Sequence, residues 1–389
     1  MIGVLIVDDS VVIRRMLAAV LDEDPELEVV GTAANGRIAL DKLPQLRPDA
    51  VVLDVEMPVL DGLATLRELR RTHPRLPVIM FSTVTERGAQ ATLDALAAGA
   101  SDYVTKPSKV SSVAASIARV RDDLIPKIKA LVAARRGEAR PTSADVRLAP
   151  APPAAPGMVE ALAIGCSTGG PDALASVVAH LPADLGVPVF VVQHMPPLFT
   201  KLFAERLDRN CPMQVREAVD GEPAVAGRIY VAPGDTHLVV RRRAGQVVVH
   251  LTKEPPENYC RPSVDVLFRS VASVYGARAL ACVLTGMGRD GLKGAERIHA
   301  AGGQIIVQDE ATSVVWGMPG AIAAAGLASA VLPLPQIADA LRRAIGRRPR
   351  VGSLRPASPP VADVAVAPAP AARALPPYVP AVTIFGGLS

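Results

Sequence analysis

Leu162-Ala163-Ile164-Gly165-Cys166-Ser167-Thr168-Gly169-Gly170 is the stretch from which the fold of this chain is read. The apolar run from Ala161 to Ile164 predicts a short buried strand. Gly165 to Gly169 then matches the G-x-S-x-G pattern of a nucleophile elbow. Glycines on both sides permit a sharp turn that leaves Ser167 exposed at the C-terminal end of the strand. Pro171 suits the first turn of a helix, which Asp172-Ala173-Leu174-Ala175 continues. A helix starting there would bring free N–H groups beside the hydroxyl. The pattern also describes a plain glycine-rich turn or a phosphate-binding loop, so a base and an orienting acid must come from elsewhere in the chain.

The length, 389 residues, suggests two or three domains, each able to bury a core. Half of the residues are hydrophobic, as in a globular chain. The 36 prolines cluster in two places, which predicts linkers. Lys plus Arg number 42 against 38 acidic residues, a mild net charge of +4 with no basic stripe interleaved with aromatics. A nucleic-acid partner is therefore not implied. Cys166, Cys211, Cys260 and Cys282 have no CxxC spacing and read as reduced, mostly buried thiols. Acidic residues at Asp8-Asp9 come too early for a signal peptide, and no apolar run approaches the ~20 residues that span a bilayer. The expectation is a cytoplasmic, monomeric protein with no membrane insertion.

Upstream of the serine turn, apolar runs at Val4–Val7, Val29–Val30, Ala50–Leu53, Pro77–Phe81 and Tyr103–Val104 alternate with helical patterns at Val11–Leu21, Arg37–Leu43, Leu63–Arg71 and Ala89–Ala98. That alternation predicts a doubly wound, five-stranded parallel sheet. Its polar residues fall at strand ends: Asp8-Asp9, Asp54, Ser82-Thr83 and Lys106. In such a sheet the carboxyl ends share one edge, where ligands bind. Carboxylates crowded there need a cation, and oxygen ligands with spare water positions suit Mg²⁺. A metal, a lysine and a hydroxyl in an acidic site fit phosphoryl transfer to an aspartate.

Val7-Asp8-Asp9-Ser10, Leu53-Asp54-Val55-Glu56-Met57-Pro58 with Asp61-Gly62, and Val104-Thr105-Lys106-Pro107 resemble a response-regulator receiver domain, of flavodoxin-like fold. The resemblance spans Met1 to about Ile125. It implies that Asp54 accepts phosphate from a histidine kinase. It also implies Mg²⁺ held by Asp9, Asp54 and the Glu56 carbonyl, with Asp8 acting through water. Ser82 and Tyr103 fall at the positions of the family's switch hydroxyl and switch aromatic; a strand-end cap and a half-buried core aromatic are the plainer readings.

Residues 126–157 are assigned to a linker, Ala/Pro/Arg-rich from Ala133 and expected to be extended, serving as a passive tether or docking on a neighbour. Residues 158–349 form a second domain. Strand-like runs at Ala161–Ile164, Val187–Gln193, Arg228–Val231, Leu238–Val240, Val247–Leu251, Ala279–Leu284 and Gln304–Val307 are interleaved with helical stretches. They predict a doubly wound, mostly parallel sheet with an antiparallel portion between Met213 and Leu251. Residues 350–389, rich in Ala, Pro and Val, read as a disordered tail.

A serine needs a base to become nucleophilic near neutral pH. Of the six histidines, only His194 ends a strong strand, as Ser167 does. Asp290 follows the buried run Ala279–Leu284 in Thr285-Gly286-Met287-Gly288-Arg289-Asp290-Gly291, where a helix N-cap is the plainer reading; Asp309 is the alternative acid. Three strand ends thus offer Ser167, His194 and Asp290. The order Ser, His, Asp is unlike that of α/β-hydrolases, but order is free when the geometry closes.

Gly165 to Gly170, Gln193-His194-Met195, Pro233-Gly234, Leu284 to Gly291 and Gln308-Asp309-Glu310 through Trp316-Gly317-Met318-Pro319 resemble the catalytic domain of the chemotaxis protein-glutamate methylesterase (CheB) family, from about Met158 to Ile345. The resemblance implies a phosphorylation-regulated hydrolase that removes methyl groups from receptor glutamate esters and deamidates receptor glutamines, with methyl-accepting chemoreceptors as substrates. No cofactor is expected for the esterase. Ser167, His194 and Asp290 would be catalytic. Backbone N–H groups at Thr168 and within Gly286-Met287-Gly288 are the oxyanion candidates. Met195, Met287 and Met318 either line the groove or pack the core. The alternatives are a methylesterase of a non-chemotactic receptor array and a response regulator whose second domain only binds.

Overall fold

The computed structural model describes residues 1–107, 113–137 and 159–346. Residues 138–157 of the expected linker, and the expected tail, lie outside them. In the first sheet, β1 (Ile2–Val7), β2 (Leu27–Ala33), β3 (Ala50–Asp54), β4 (Val78–Ser82) and β5 (Asp102–Thr105) stand in the order β2-β1-β3-β4-β5, all parallel. The central strands are buried throughout except at Ile2, which is why they read as unbroken apolar runs. Helices α1 (Val11–Asp22), α2 (Gly36–Leu46), α3 (Gly62–Thr72) and α4 (Glu86–Ala97) each begin at a side-chain cap: Ser10, Asn35, Asp61 and Thr85 accept from the N–H three residues on. Strand order reverses between β1 and β3, so the residues that end those strands, Asp8-Asp9 and Asp54, share the crevice of the switch point.

One boundary needs correction. Helix α5 runs from Val113 to Arg136, so residues 126–136 are helix and not linker. Pro126 sits inside it, and Ile128, Leu131 and Val132 are buried against the first sheet with Leu124 and Ile125. Apolar contacts at helical spacing carry the helix past the point where Ala/Arg-rich composition suggested an end.

The second sheet has seven strands. β6 (Ala161–Cys166), β7 (Val189–Gln193), β8 (Gln214–Glu217), β9 (Arg228–Val231), β12 (Ala279–Val283), β13 (Gln304–Gln308) and β14 (Ala330–Leu332) lie in the order β14-β13-β12-β6-β7-β9-β8. Every pairing in it is parallel. The expected antiparallel portion is a separate hairpin, β10 (His237–Arg243) and β11 (Gln246–Thr252), turning at Ala244-Gly245 with both φ positive. Helices α6 (Gly170–Ala179), α7 (Pro197–Asn210) and α11 (Leu334–Ile345) pack on one face of the sheet. Helices α8 (Val264–Tyr275), α9 (Leu292–Ala300) and α10 (Met318–Ala324) pack on the other, together with the hairpin. β6 is central: the chain winds outward from it first through β7 and later through β12. No helix of the described residues is long and apolar enough to cross a membrane.

Candidate active site

Ser167 follows β6, His194 follows β7 and Asp290 lies in the loop after β12. These three strands are neighbours, and their ends bring the three residues to one edge at the reversal of strand order. Ser167 N–H donates to Thr285 O at 3.1 Å and His194 N–H to Cys166 O at 3.3 Å, so all three loops are tied by backbone bonds. Gly286 lies so close that a Cβ on it would stand 3.0 Å from Ser167 Cβ. Gly169 has φ 72°, the left-handed backbone that lets the chain turn into α6.

His194 Nε2 donates to Asp290 Oδ2 at 2.9 Å. Asp290 is not the cap of α9, whose first residue is preceded by Gly291. It sits instead at the N-terminus of α8. Oδ2 also accepts from Val264 N–H at 2.7 Å, and Oδ1 from Ser263 Oγ, Asn258 Nδ2, Asp265 N–H and Gly291 N–H at 2.8–3.1 Å. Burial raises the carboxyl, but the hydrogen bond and charge of His194 and the amides of α8 outweigh it, so Asp290 is held below its ordinary value. Burial likewise disfavours a charged His194, and the bonds to Asp290 and Cys260 reverse that, leaving it well above the ordinary histidine value.

The remaining contact of a serine triad is not made: among the described residues no hydrogen bond engages Ser167 Oγ. With Nε2 taken by Asp290, the nitrogen left to serve as base is Nδ1, and Cys260 Sγ lies 3.6 Å from it. The N–H groups of Thr168 and Met287 have no partner among the described residues, whereas Gly286 N–H is taken by Val315 O and drops out as an oxyanion donor. Asp309 accepts from Thr312 N–H and Oγ1 and belongs to a local turn. Met195 and Met318 are core residues; Met287 alone stays half-exposed.

Sequence reasoning missed the segment Glu257–Ser263. Asn258 and Tyr259 adopt left-handed backbone, and this turn brings Asn258 to Asp290 and Cys260 to His194. Nothing in its spacing signals such a role. Sequence reasoning gives Gln193 no role beyond its place in the Gln193-His194-Met195 stretch, whereas its Nε2 donates to Ser167 O at 3.0 Å and holds the elbow. Gly165, inside β6, faces the first residue of α8: a Cβ there would meet Val264 Cγ2 at 2.8 Å. Replacing Gly165 with alanine is expected to push α8 away from Asp290 and destabilise the fold by about 1–3 kcal/mol, read by urea unfolding.

In the first sheet, carboxylate oxygens of Asp8, Asp9 and Asp54 all lie within 4.8 Å of one another. Lys106 Nζ bridges Asp8 and Asp54 at 2.8 Å each. Asp8 and Asp54 are buried and Asp9 is exposed. Burial holds the Asp54 carboxyl up, at about 6, against the pull of Lys106. The Glu56 carboxylate turns to Arg87 at 3.3 Å, and Glu56 N–H donates to Asp54 Oδ1. Ser82 Oγ is buried and donates to Gly88 O at 3.1 Å, engaged with α4.

Tyr103 is buried because its ring stacks on Phe199 of α7, with centroids 4.8 Å apart and planes 8° apart. Beside it Thr168 Oγ1, next to the candidate nucleophile, donates to Asp102 Oδ2 at 2.6 Å. Arg206 of α7 pairs with Asp94 of α4 at 2.5 Å. Val315 and Met287 join the apolar cluster of α5. A groove of about 620 Å³ runs between α5 and the 288–289, 310–317 and 320–325 segments, Trp316 included. The receiver-like sheet thus reaches the candidate site at its nucleophile turn and at its oxyanion loop.

Residues 162–341 match the CheB methylesterase family model and residues 4–118 the response regulator receiver domain. The chain is 56% identical over 357 residues to a protein-glutamate methylesterase/protein-glutamine glutaminase of Nocardioides sp., covering 90% of this chain and 97% of the relative. It is 48% identical over 347 residues to the protein of the same name from Trichodesmium erythraeum, covering 88% and 99%. Among solved structures, the CheB methylesterase catalytic domain of Thermotoga maritima is 42% identical, with a TM-score of 0.47 over 47% of this chain and 97% of that one.

Proposed function

We infer the chemistry of this chain from its family and its site geometry together: it belongs to the CheB methylesterase family and carries a receiver domain ahead of the methylesterase one. It is a hydrolase of glutamate γ-methyl esters on chemoreceptors, and a deamidase of receptor glutamines, acting in chemotactic adaptation. Ser167 Oγ attacks the ester carbonyl while His194 Nδ1 takes its proton; the tetrahedral intermediate then collapses and His194 returns the proton to departing methanol. Water hydrolyses the acyl-enzyme by the same proton path, leaving glutamate and free Ser167. Asp290, bonded to Nε2, fixes the ring and stabilises its charged form. The uncommitted N–H groups of Thr168 and Met287 serve the oxyanion, each worth about 3 kcal/mol of barrier. With a γ-amide as substrate the leaving group is ammonia. The observation that carries this reading is the His194–Asp290 bond of 2.9 Å, made at the strand end beside Ser167.

Asp54 is the phosphate acceptor, with a histidine kinase as the partner that supplies the group. Three carboxylates around a lysine form an oxygen donor set that fits Mg²⁺, held by Asp9 and Asp54 and supported by Asp8 and the Glu56 carbonyl. Bound there, Mg²⁺ would supply positive charge against the oxygens of the phosphoryl group that Asp54 accepts. Lys106 supplies a further cation to the phosphoryl oxygens, and Ser82 is the hydroxyl that must leave Gly88 O to reach them. Phosphorylation acts on the contacts Tyr103–Phe199 and Asp94–Arg206, made to α7, and on Asp102–Thr168, made beside the nucleophile.

Methanol release from methylated receptor membranes, measured with and without a small phosphodonor, tests both halves. Phosphodonor is expected to raise the rate several-fold. Asp94→Arg, which sets two cations against each other at Arg206, is expected to raise the rate without phosphodonor. No methanol in any arm removes the esterase reading; methanol with neither rise removes the regulatory one.

A further inference from the structure

We propose that Cys260 Sγ and His194 Nδ1 form a binding site for a soft divalent cation of the zinc class, and that its occupation shuts the esterase off. The inhibitory part rests on the reading of Nδ1 as the base; the binding part rests on geometry alone. A tetrahedral zinc with bonds of about 2.3 Å to sulfur and about 2.0–2.1 Å to nitrogen holds those two atoms about 3.5–3.6 Å apart. Sγ and Nδ1 are separated by 3.6 Å.

The surroundings fit as well. Asp290 accepts from the opposite ring nitrogen at 2.9 Å, the carboxylate support that fixes and strengthens a histidine ligand. Ligand atoms of His194, Cys260 and Asp290 lie within 4.8 Å of one another. Two positive-φ residues, Asn258 and Tyr259, hold the turn that presents Cys260, and Cys260 itself is tied back to Glu257 by two backbone bonds of 2.9 and 3.1 Å. The thiol is therefore positioned by a built turn. It is half-buried, as is His194, so a cation can reach both while water fills the remaining coordination positions.

Binding releases two protons to solvent, one from the Cys260 thiol and one from Nδ1 of the charged His194 ring, and a metal–sulfur and a metal–nitrogen bond take their places. Nδ1 then cannot take the Ser167 proton. The cation that suits the receiver is different. Mg²⁺ prefers oxygen ligands, so the two sites of one chain select opposite cations by ligand hardness.

The test uses the full-length chain with Mg²⁺ present, with and without phosphodonor. Co²⁺ serves as a spectroscopic stand-in and Zn²⁺ as the inhibitor. The parent is expected to show a cobalt–thiolate absorption band that Zn²⁺ displaces and excess Mg²⁺ does not. The band should vanish in Cys260→Ala. Losing a ligand should cost at least what losing an outer-shell partner costs, so the zinc concentration that halves methanol release should rise about 10–100-fold in Cys260→Ala. The same band in parent and Cys260→Ala, or none in either, overturns the site. A Cys260-dependent band without inhibition upholds the site and instead removes Nδ1 as the base.

Discussion

Ser167→Ala is expected to lower kcat for methanol release by about 10⁵-fold or more, leaving only the acceleration supplied by oxyanion donors and binding. The magnitude follows from how serine hydrolases divide their work. Once the nucleophile is lost, the base and its acid have no proton to move, so their contributions disappear with it. His194→Ala is therefore expected to cost about as much, and the double variant little more than either single one. The fold should not notice the serine change. Ser167 Oγ makes no hydrogen bond among the described residues, and the elbow is held by its backbone, through Ser167 N–H to Thr285 O and Gly170 N–H to Ser167 O at 2.7 Å. Urea midpoints of Ser167→Ala and parent should coincide. A variant that folds equally well and still releases methanol at the parental rate removes Ser167 as the nucleophile.

Much of this arrangement is legible in the residues. The strand runs in both sheets are apolar because both faces are covered, and glycines or acids punctuate their ends. That punctuation alone places Asp8, Asp54, Ser167 and His194 at carboxyl edges, and the strand orders set them at the reversal points. What escaped has physical reasons. Strand β8, at a sheet edge, has Val215 as its single apolar residue, and β14 is only three residues long, so neither shows a long apolar run. Helix α5 buries only a stripe, which Ala and Arg on its other faces disguise. The plainer reading of Asp290 from sequence is a cap of the helix that follows it, whereas its carboxylate accepts from the first amides of α8, because the turn that delivers α8 to it is set by tertiary contact. Cys260 and Asn258 belong to that same turn, and left-handed backbone at a tyrosine has no sequence signature.

Asp290→Asn carries the second large effect, on rate and stability together. The rate is expected to fall about 10⁴-fold, as when a triad aspartate becomes an amide and the imidazole loses the acceptor that sets its tautomer. The stability loss has a separate origin. Every hydrogen-bond partner of the Asp290 carboxylate is a donor: His194 Nε2, Val264 N–H, Asp265 N–H, Gly291 N–H, Ser263 Oγ and Asn258 Nδ2. An amide turns one acceptor oxygen into a donor, so at least one buried N–H or O–H loses its partner, at about 1–3 kcal/mol. The pH dependence tells the two effects apart. Asp290 is held below its ordinary value of 3.8, so its stabilisation is complete above that value and fades as pH falls through the depressed one. His194 is held above its ordinary 6.5, so its share is complete below 6.5 and is lost as pH rises toward the raised value. The stability gap between parent and Asp290→Asn should therefore be widest between those two ordinary values and narrow on either side. Activity shifts independently. His194 must be neutral to act as base, so the acid limb of kcat/KM lies above the ordinary histidine range in the parent and should move to lower pH once the Asp290 charge is gone. Loose packing alone would lower the rate at every pH and leave that limb where it was. An unmoved limb in a folded Asp290→Asn chain would mean that Asp290 supports the loop but does not govern the base.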